Sequence, residues 1–241
     1  MKKIYCLVLF SVLFVLSCNQ NGDYGKCVNS NSEFSKELRE YRAAQMQVLH
    51  NGNTRAAGNT YTDEEVQEIA AKLDSIAADF RKKHPEIVAA LPKITQDEFD
   101  VMSVDEDSLV SFVKNNYSLE TSDYILNSMS EMENGNIVPK PKYRIGSITD
   151  DYVIANIYTI SDFVDIAGNS ESSSITTCKT KSDCYSRYKE KVSGCYKTLV
   201  RSLVLNIVGL SVMSPINMLY IAADYNKCLT DAAEFYSVCN K

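Results

Sequence analysis

The sequence predicts a mainly α-helical protein: an N-terminal bundle of short helices, then a C-terminal antiparallel helical hairpin stapled by disulfides. Three observations predict it. Cys184, Cys195, Cys228 and Cys239 lie symmetrically about a midpoint between Ser211 and Val212. Apolar residues recur at helical spacing along most of the chain. Polar capping residues, prolines and glycines interrupt that pattern at short intervals.

The hairpin unit spans 178–241. Cys184 and Cys195 are 11 residues apart, and so are Cys228 and Cys239. That spacing is about three helical turns, so each pair shares one face of one helix. Folding the arms antiparallel brings Cys184 to Cys239 and Cys195 to Cys228. Gly209 reads as the C′ residue ending the first arm. Ser214-Pro215 reads as the cap and first turn of the second, which leaves the turn at 210–213. Tyr185, Tyr188, Val192, Tyr196, Leu199, Leu203 and Ile207 stripe the first arm, and Ile216, Leu219, Tyr220, Ala223, Leu229, Ala232 and Tyr236 the second. Chain entropy makes the inner closure worth about 3–4 kcal/mol; the outer bond adds less, because the inner one has shortened its loop.

Residues 31–135 read as a helical region. Ser30 to about His50 forms a helix, with Ser32 as cap and Phe34, Leu38, Tyr41, Met46 and Leu49 as its stripe. Thr62 with Glu65 makes a capping box before Val66, Ile69, Leu73, Ile76, Ala77 and Phe80. Arg81 to His84 put positive charge in that helix's last turn, where the dipole favours it. Pro85 and Pro92 bracket a short helix. Thr95 opens another, Ser103 or Asp105 caps the next, and Thr121 opens one that stops at Asn134-Gly135.

Residues 136–177 read as a linker with one ambiguous element. Ile137 to Tyr143, holding Pro139 and Pro141, is extended. In 147–167, Ile148, Val153, Ile154, Ile157, Thr159 and Ile160 favour strand. Val153, Ile157, Ile160 and Val164 also fall at helical spacing behind Thr149 and Asp150. Helix is the preferred reading, with strand left open. Gly168 to Thr177 is a Ser-rich loop.

The start of the chain is a targeting segment: Lys2 and Lys3, an apolar run from Ile4 to Leu16, then Ser17 before Cys18. The run is too short for an ordinary membrane span. Val15-Leu16-Ser17-Cys18 resembles the lipobox of bacterial lipoprotein precursors. The resemblance implies a signal peptide over 1–17, lipidation of Cys18 with diacylglycerol and usually an N-acyl chain such as palmitate, and a lipidated tether over 18–30. An ordinary secretory signal cut near Ser17 is the alternative. No aspartate follows Cys18, so the outer membrane is the expected site of the anchor. Cys6 then leaves with the signal and Cys18 carries lipid. The remaining six cysteines, an even number in an exported chain, suggest a disulfide framework. Six allow 15 pairings; if the hairpin uses four, Cys27 and Cys178 pair by elimination.

The chain carries a net charge of −6, unevenly spread. From Asp63 to Glu133 there are 17 acidic residues against six basic ones (Lys72, Arg81, Lys82, Lys83, Lys93 and Lys114). Lys179, Lys181, Arg187, Lys189, Lys191 and Lys197 face only Asp183 and Glu190. These cations read either as a patch for an anionic partner, such as lipid headgroups or glycan, or as a solvated face complementing the acidic half. Net negative charge in an exported chain argues against nucleic acid as a partner.

Enzyme signatures are missing: no G-x-S-x-G, no H-E-x-x-H, no phosphate loop and no dinucleotide glycine pattern. His50 and His84 sit at helix ends and read as surface or C-terminal-turn residues rather than general bases. Asp63-Glu64-Glu65, Asp105-Glu106-Asp107 and Asp150-Asp151 sit at helix starts, where the dipole explains them. Without a close Cys-x-x-Cys pair, and with two histidines, no metal or other cofactor is expected. Asp74-Ser75-Ile76 and Asp107-Ser108-Leu109 resemble the O-glycosylation motif of exported Bacteroidota proteins.

Leu199 to Ala223 is apolar, but as one span it would carry Arg201, Asn206, Pro215 and Asn217, which is costly. The hairpin tip is therefore either buried against the N-terminal helices or exposed to a membrane or partner. The expected function is an envelope-anchored, non-enzymatic binding protein. Its partners would be the membrane, through its lipid, and a protein or anionic envelope component. The alternative is a membrane-active, bacteriocin-like effector acting through the hairpin.

Overall fold

The structure, a computed structural model, describes residues 33–52, 61–140, 147–169, 182–211 and 217–239. Its helices are α1 (Glu33–Gly52), α2 (Asp63–Lys83), α3 (Pro85–Ala90), α4 (Gln96–Val104), α5 (Glu106–Asn116), α6 (Leu119–Glu133), α7 (Ile148–Gly168), α8 (Ser182–Val208) and α9 (Asn217–Cys239). Two two-residue strands, β1 (Lys93–Ile94) and β2 (Leu210–Ser211), pair in parallel. The mainly α fold with a stapled C-terminal hairpin is thus the observed one.

Local chemistry sets most helix starts. Thr62 with Glu65, Thr95 with Glu98 and Ser147 with Asp150 form capping boxes, each satisfying two otherwise orphaned backbone donors. Asp105, not Ser103, caps α5. The start of α6 lies earlier than Thr121, because Ser118 is the residue whose hydroxyl accepts from the Thr121 N–H. Gly135, with φ +70°, follows the end of α6, a backbone conformation that suits glycine.

The ambiguous 147–167 segment is helix α7, and it runs through the core. Tyr152, Val153, Ile154, Ile157, Ile160, Phe163 and Val164 are all buried. A helix apolar around most of its circumference belongs inside, so its β-branched residues record burial rather than strand. It packs against α1, α3, α6 and α8. Its polar residues toward α1 form a closed network. The Tyr41 hydroxyl donates to Asn156 Oδ1 at 2.5 Å, Gln45 Nε2 donates to Tyr41 Oη at 2.8 Å, and Thr159 Oγ1 donates to Gln45 Oε1 at 3.1 Å. Asn156 Nδ2 donates back to the Tyr152 carbonyl at 2.8 Å. Burial pushes the Tyr41 phenol well above its ordinary range, so it stays protonated as a donor. Satisfied networks of this kind fix register between helices.

In the hairpin, Cys184–Cys239 and Cys195–Cys228 are disulfides with Cα separations of 5.9 and 5.8 Å. Both separations lie in the usual range. Beyond α9, α8 packs on α4, α5, α6 and α7, while α9 packs on α2. The half nearest the turn lies in the main core: Leu203, Val204, Leu205, Val208, Met218, Ile221 and Ala222 are buried. Residues 212–216, including Ser214-Pro215, lie outside the described residues. The other half builds a small cluster of its own from Cys184, Tyr188, Ala232 and Tyr236. Among the described residues no helix is long and apolar enough to cross a membrane.

Gly209 ends α8, as its position suggested, with its N–H donating to the Leu205 carbonyl at 3.0 Å. It does not occupy the left-handed region; Gly135 is the positive-φ glycine among the described residues. Gly209 is needed for space. Pairing of β1 with β2 sets Ile94 opposite Ser211, and a Cβ on Gly209 would lie 2.0 Å from Ile94 Cδ1 and 2.6 Å from its Cγ1. Ile94 is buried in the core, so moving it disturbs its packing. Gly209→Ala should destabilise by about 1–3 kcal/mol, the cost of overpacking. Denaturant unfolding of G209A, I94V and the double variant checks this: I94V should cost less in the G209A background than alone. Simple additivity would place the crowding elsewhere.

Candidate functional site

An open recess lies where α4 meets α5. A single residue, Asp105, joins the two helices. Its backbone N–H closes α4 on the Val101 carbonyl, and its carboxylate accepts from the Ser108 N–H at 3.3 Å to start α5. Between the helices is a cleft of about 570 Å³. Asp97, Glu98, Val101 and Met102 line it from α4, and Asp107, Ser108, Ser111 and Phe112 from α5. Each set repeats at i and i+4, one ridge per helix. Met102 is buried and Phe112 half-buried, whereas Val101 is 53% exposed and Val104, one turn on, 64% exposed.

Arg201 of α8 holds the apex of this corner. Its Nη1 donates to the Val104 carbonyl at 3.0 Å, its Nη2 to Glu106 at 2.6 Å, and its Nε to Glu133 at 2.8 Å. The cation that made the 199–223 stretch unsuitable as a span is thus a buried connector between helices.

From Ile94 to Val113 the chain has six carboxylates and no Lys or Arg. Glu98 accepts from the Thr95 backbone N–H at 2.8 Å and its hydroxyl at 2.7 Å, and these bonds hold it below the usual carboxylate range. The Ser108 hydroxyl does the same for Asp105, with a smaller contribution from Arg201.

The remaining sequence candidates fall elsewhere. Cys18, Cys27, Cys178, Lys179 and Lys181 lie outside the described residues. Arg187, Lys189, Lys191 and Lys197 are exposed on α8. Lys189 sits 4.7 Å from the Tyr185 ring and Lys191 4.8 Å from the Phe235 ring. The neighbouring α9 presents exposed Asp224, Asp231 and Glu234, so the hairpin surface is of mixed sign, as a solvated face is. His50 is exposed, with Nδ1 2.8 Å from the Met46 carbonyl. Among the described residues no group of His, Cys, Asp and Glu is arranged to hold a metal ion.

His84 is the C-terminal cap of α2, as its position suggested, and it is buried because α1 covers the α2–α3 junction. Its Nδ1 lies 3.0 Å from Glu86, and its Nε2 lies 3.0 Å from Glu37 of α1. The Nε2 contact lacks the alignment of a hydrogen bond. The Phe34 and Phe80 rings pack on the imidazole at 5.2 and 4.5 Å. With both nitrogens facing carboxylates of the fold, His84 ties helices together.

Asp74 has a structural role that sequence reasoning did not show. In the Asp-Ser-Ile triplet Ser75 is exposed, but Asp74 is buried. Its carboxylate reaches from α2 to the start of α9, accepting from the Met218 N–H at 3.2 Å and the Leu219 N–H at 3.0 Å. It is an N-cap supplied from another helix, and the negative charge suits that helix end. The available signal was its place on the buried face of α2, beside Ala70, Leu73 and Ala77. In the second triplet, Ser108 is part of the Asp105 cap.

Burial pushes Asp74 up to about 6, against its two backbone bonds and the Arg81 charge. The native state therefore binds this proton more tightly than the unfolded chain, where aspartate titrates near 3.9. The site's contribution to stability should grow as pH falls through about 6 toward 4, and shrink above 6. Asp74→Ala should cost about 1 kcal/mol through loss of the cap, with a larger penalty at pH 5 than at pH 7.5. Urea unfolding of both proteins at the two pH values measures this. A pH-independent difference would remove the buried cap from the explanation.

Against known proteins, the chain matches no family model and shows no significant similarity to a curated protein or a solved structure.

Proposed function

We propose that the chain is an exported, lipid-anchored protein of the bacterial cell envelope that acts by binding rather than by catalysis. The two disulfides of the hairpin carry this reading. Such bonds persist in oxidising compartments outside the cytosol, which is where the lipobox-like Val15-Leu16-Ser17-Cys18 would deliver the chain. A lipid on Cys18, at the outer membrane, and a polar tether to residue 30 complete it. A Cys27–Cys178 bond would tie that tether to the base of the hairpin.

Support for binding over chemistry comes from what the titratable groups do. His84 joins helices, Asp74, Asp105 and Asp150 serve caps, and Glu106 and Glu133 pair with Arg201. The open cleft between α4 and α5 is left as the surface for a partner.

A membrane-active hairpin has less support. Inserting the tip would pull Leu203, Val204, Leu205, Val208 and Ile221 out of the core. Each large buried apolar side chain contributes roughly 1.5–3 kcal/mol, so the loss would rival the stability of a typical domain, about 5–15 kcal/mol.

The test is expression of the full chain in a bacterium with lipoprotein-processing machinery, fed an alkyne-bearing fatty acid. The wild type should take up label and sediment with membranes. Cys18→Ala should lose the label and leave the membrane fraction. An unlabelled wild type, or label that survives the substitution, would sink the anchor. Peptide mapping without reduction should recover 184–239 and 195–228, and intact mature protein should leave liposomes sealed.

A further inference from the structure

We infer that the α4–α5 cleft docks a cationic polypeptide segment bearing a large apolar side chain. The inference rests on the binding reading above and names the surface and the kind of partner.

Shape comes first. The cleft runs between two ridges, each repeating at i and i+4, the geometry that receives a helical or extended segment rather than engulfing a small molecule. Met102 and Phe112 supply its apolar lining. Val101 and Val104 lie a turn apart on α4 and are mostly exposed. A nine-residue helix with two exposed valines beside a recess leaves apolar area that only a second surface removes from water.

Charge then selects the occupant. Asp97, Glu98 and Asp107 line the cleft, and no Lys or Arg occurs from 94 to 113. Arg201 pairs with Glu106 and Glu133 but with none of these three. The hydrogen bonds that hold Glu98 low keep it ionised into mild acid. A field of this sign repels phosphate, anionic lipid and acidic glycan, and attracts Lys and Arg.

Rigidity completes the case. Asp105 and Arg201 fix the corner from both sides, so the ridges need little reordering when a partner binds. The occupant that satisfies shape and charge together sets a Leu-sized or Phe-sized side chain against Met102 and Phe112 and flanks it with cations.

The experiment uses folded, mature protein and a fluorescein-labelled amphipathic peptide of about fourteen Lys, Leu and Ala residues, with anisotropy as readout. Saturable binding is expected, weakening as salt rises from about 50 to 300 mM. Replacing the peptide's Leu by Ser should weaken binding at least tenfold. Asp97→Lys with Asp107→Lys should do the same, as should Val101→Ser. All three positions are at the surface, and thermal melts confirm that the variants fold. The control, Glu120→Lys with Asp123→Lys on exposed positions of α6, should stay within about twofold, as a surface charge change away from the site would.

Equal losses in the control and cleft pairs would reduce the effect to overall charge and overturn the site. Indifference to Val101→Ser or to the Leu-to-Ser peptide would overturn the apolar anchor. A sedimenting dimer broken by the Asp97/Asp107 pair would make the occupant a second copy and overturn the partner assignment. None of these outcomes touches the Cys18 labelling, and loss of that labelling leaves the cleft result standing.

Discussion

The guanidinium of Arg201 is the contact on which the arrangement of the other helices depends. It sits in the most apolar part of the hairpin, where an unpaired cation would cost several kcal/mol. Three partners offset that cost: the last carbonyl of α4, a carboxylate in the first turn of α5, and a carboxylate in the last turn of α6. Each partner gains as well. The Val104 carbonyl is one that a helix end leaves unsatisfied. Glu133 lies at the helix terminus where the dipole disfavours an acid, and the cation reverses the sign of its surroundings. A planar fork of five donors suits this three-way geometry, and a lysine would not replace it. Through this one side chain the hairpin sets where α4 turns into α5, and so how the cleft is held.

The same device recurs with smaller stakes. Asp74 carries charge from α2 to the start of α9, and His84 joins the α2–α3 junction to α1. The acidic surplus of the N-terminal half therefore divides in two. Some carboxylates connect helices or cap them. Asp97 and Asp107 do neither beyond lying in first turns, and they border a recess with exposed valines. That division separates a surface shaped by folding from one left available to a partner.

Features governed by short-range rules were legible in the sequence. Equal 11-residue spacings constrain a hairpin whatever else surrounds it, so the cysteine pairing could be read directly. Thr62, Thr95 and Asp105 cap helices through neighbours three residues away. The features that escaped depend on distant residues. Gly209 could be read as the end of the first arm, but the need for a glycine there comes from Ile94, brought close by pairing of β1 with β2. The capping role of Asp74 was hidden because its partners lie in α9. Helix α7 was ambiguous because burial on most sides erases the amphipathic period, and β-branched residues then imitate a strand. The cleft left only faint traces: valines 101 and 104 among polar neighbours, and a run without cations.

The two staples act on unequal ground. Cys195 belongs to the main core and Cys228 packs against it. There the disulfide adds to burial that already holds α8 on α9. Cys184 lies beyond that core, in a cluster of four buried residues where the Tyr188 and Tyr236 rings meet at 5.2 Å, and half-buried Cys239 packs against it. Short helices on their own are marginal in water, and ordering each residue costs about 1–2 kcal/mol. Four buried side chains at roughly 1.5–3 kcal/mol each cannot order both outer arms by themselves. The outer bond lowers the entropy of the unfolded chain instead, so it stabilises the part of the hairpin where packing is thinnest. Placing the cysteines at both levels lets α8 extend past the bundle without fraying, with most of its length still governed by Arg201 and the core.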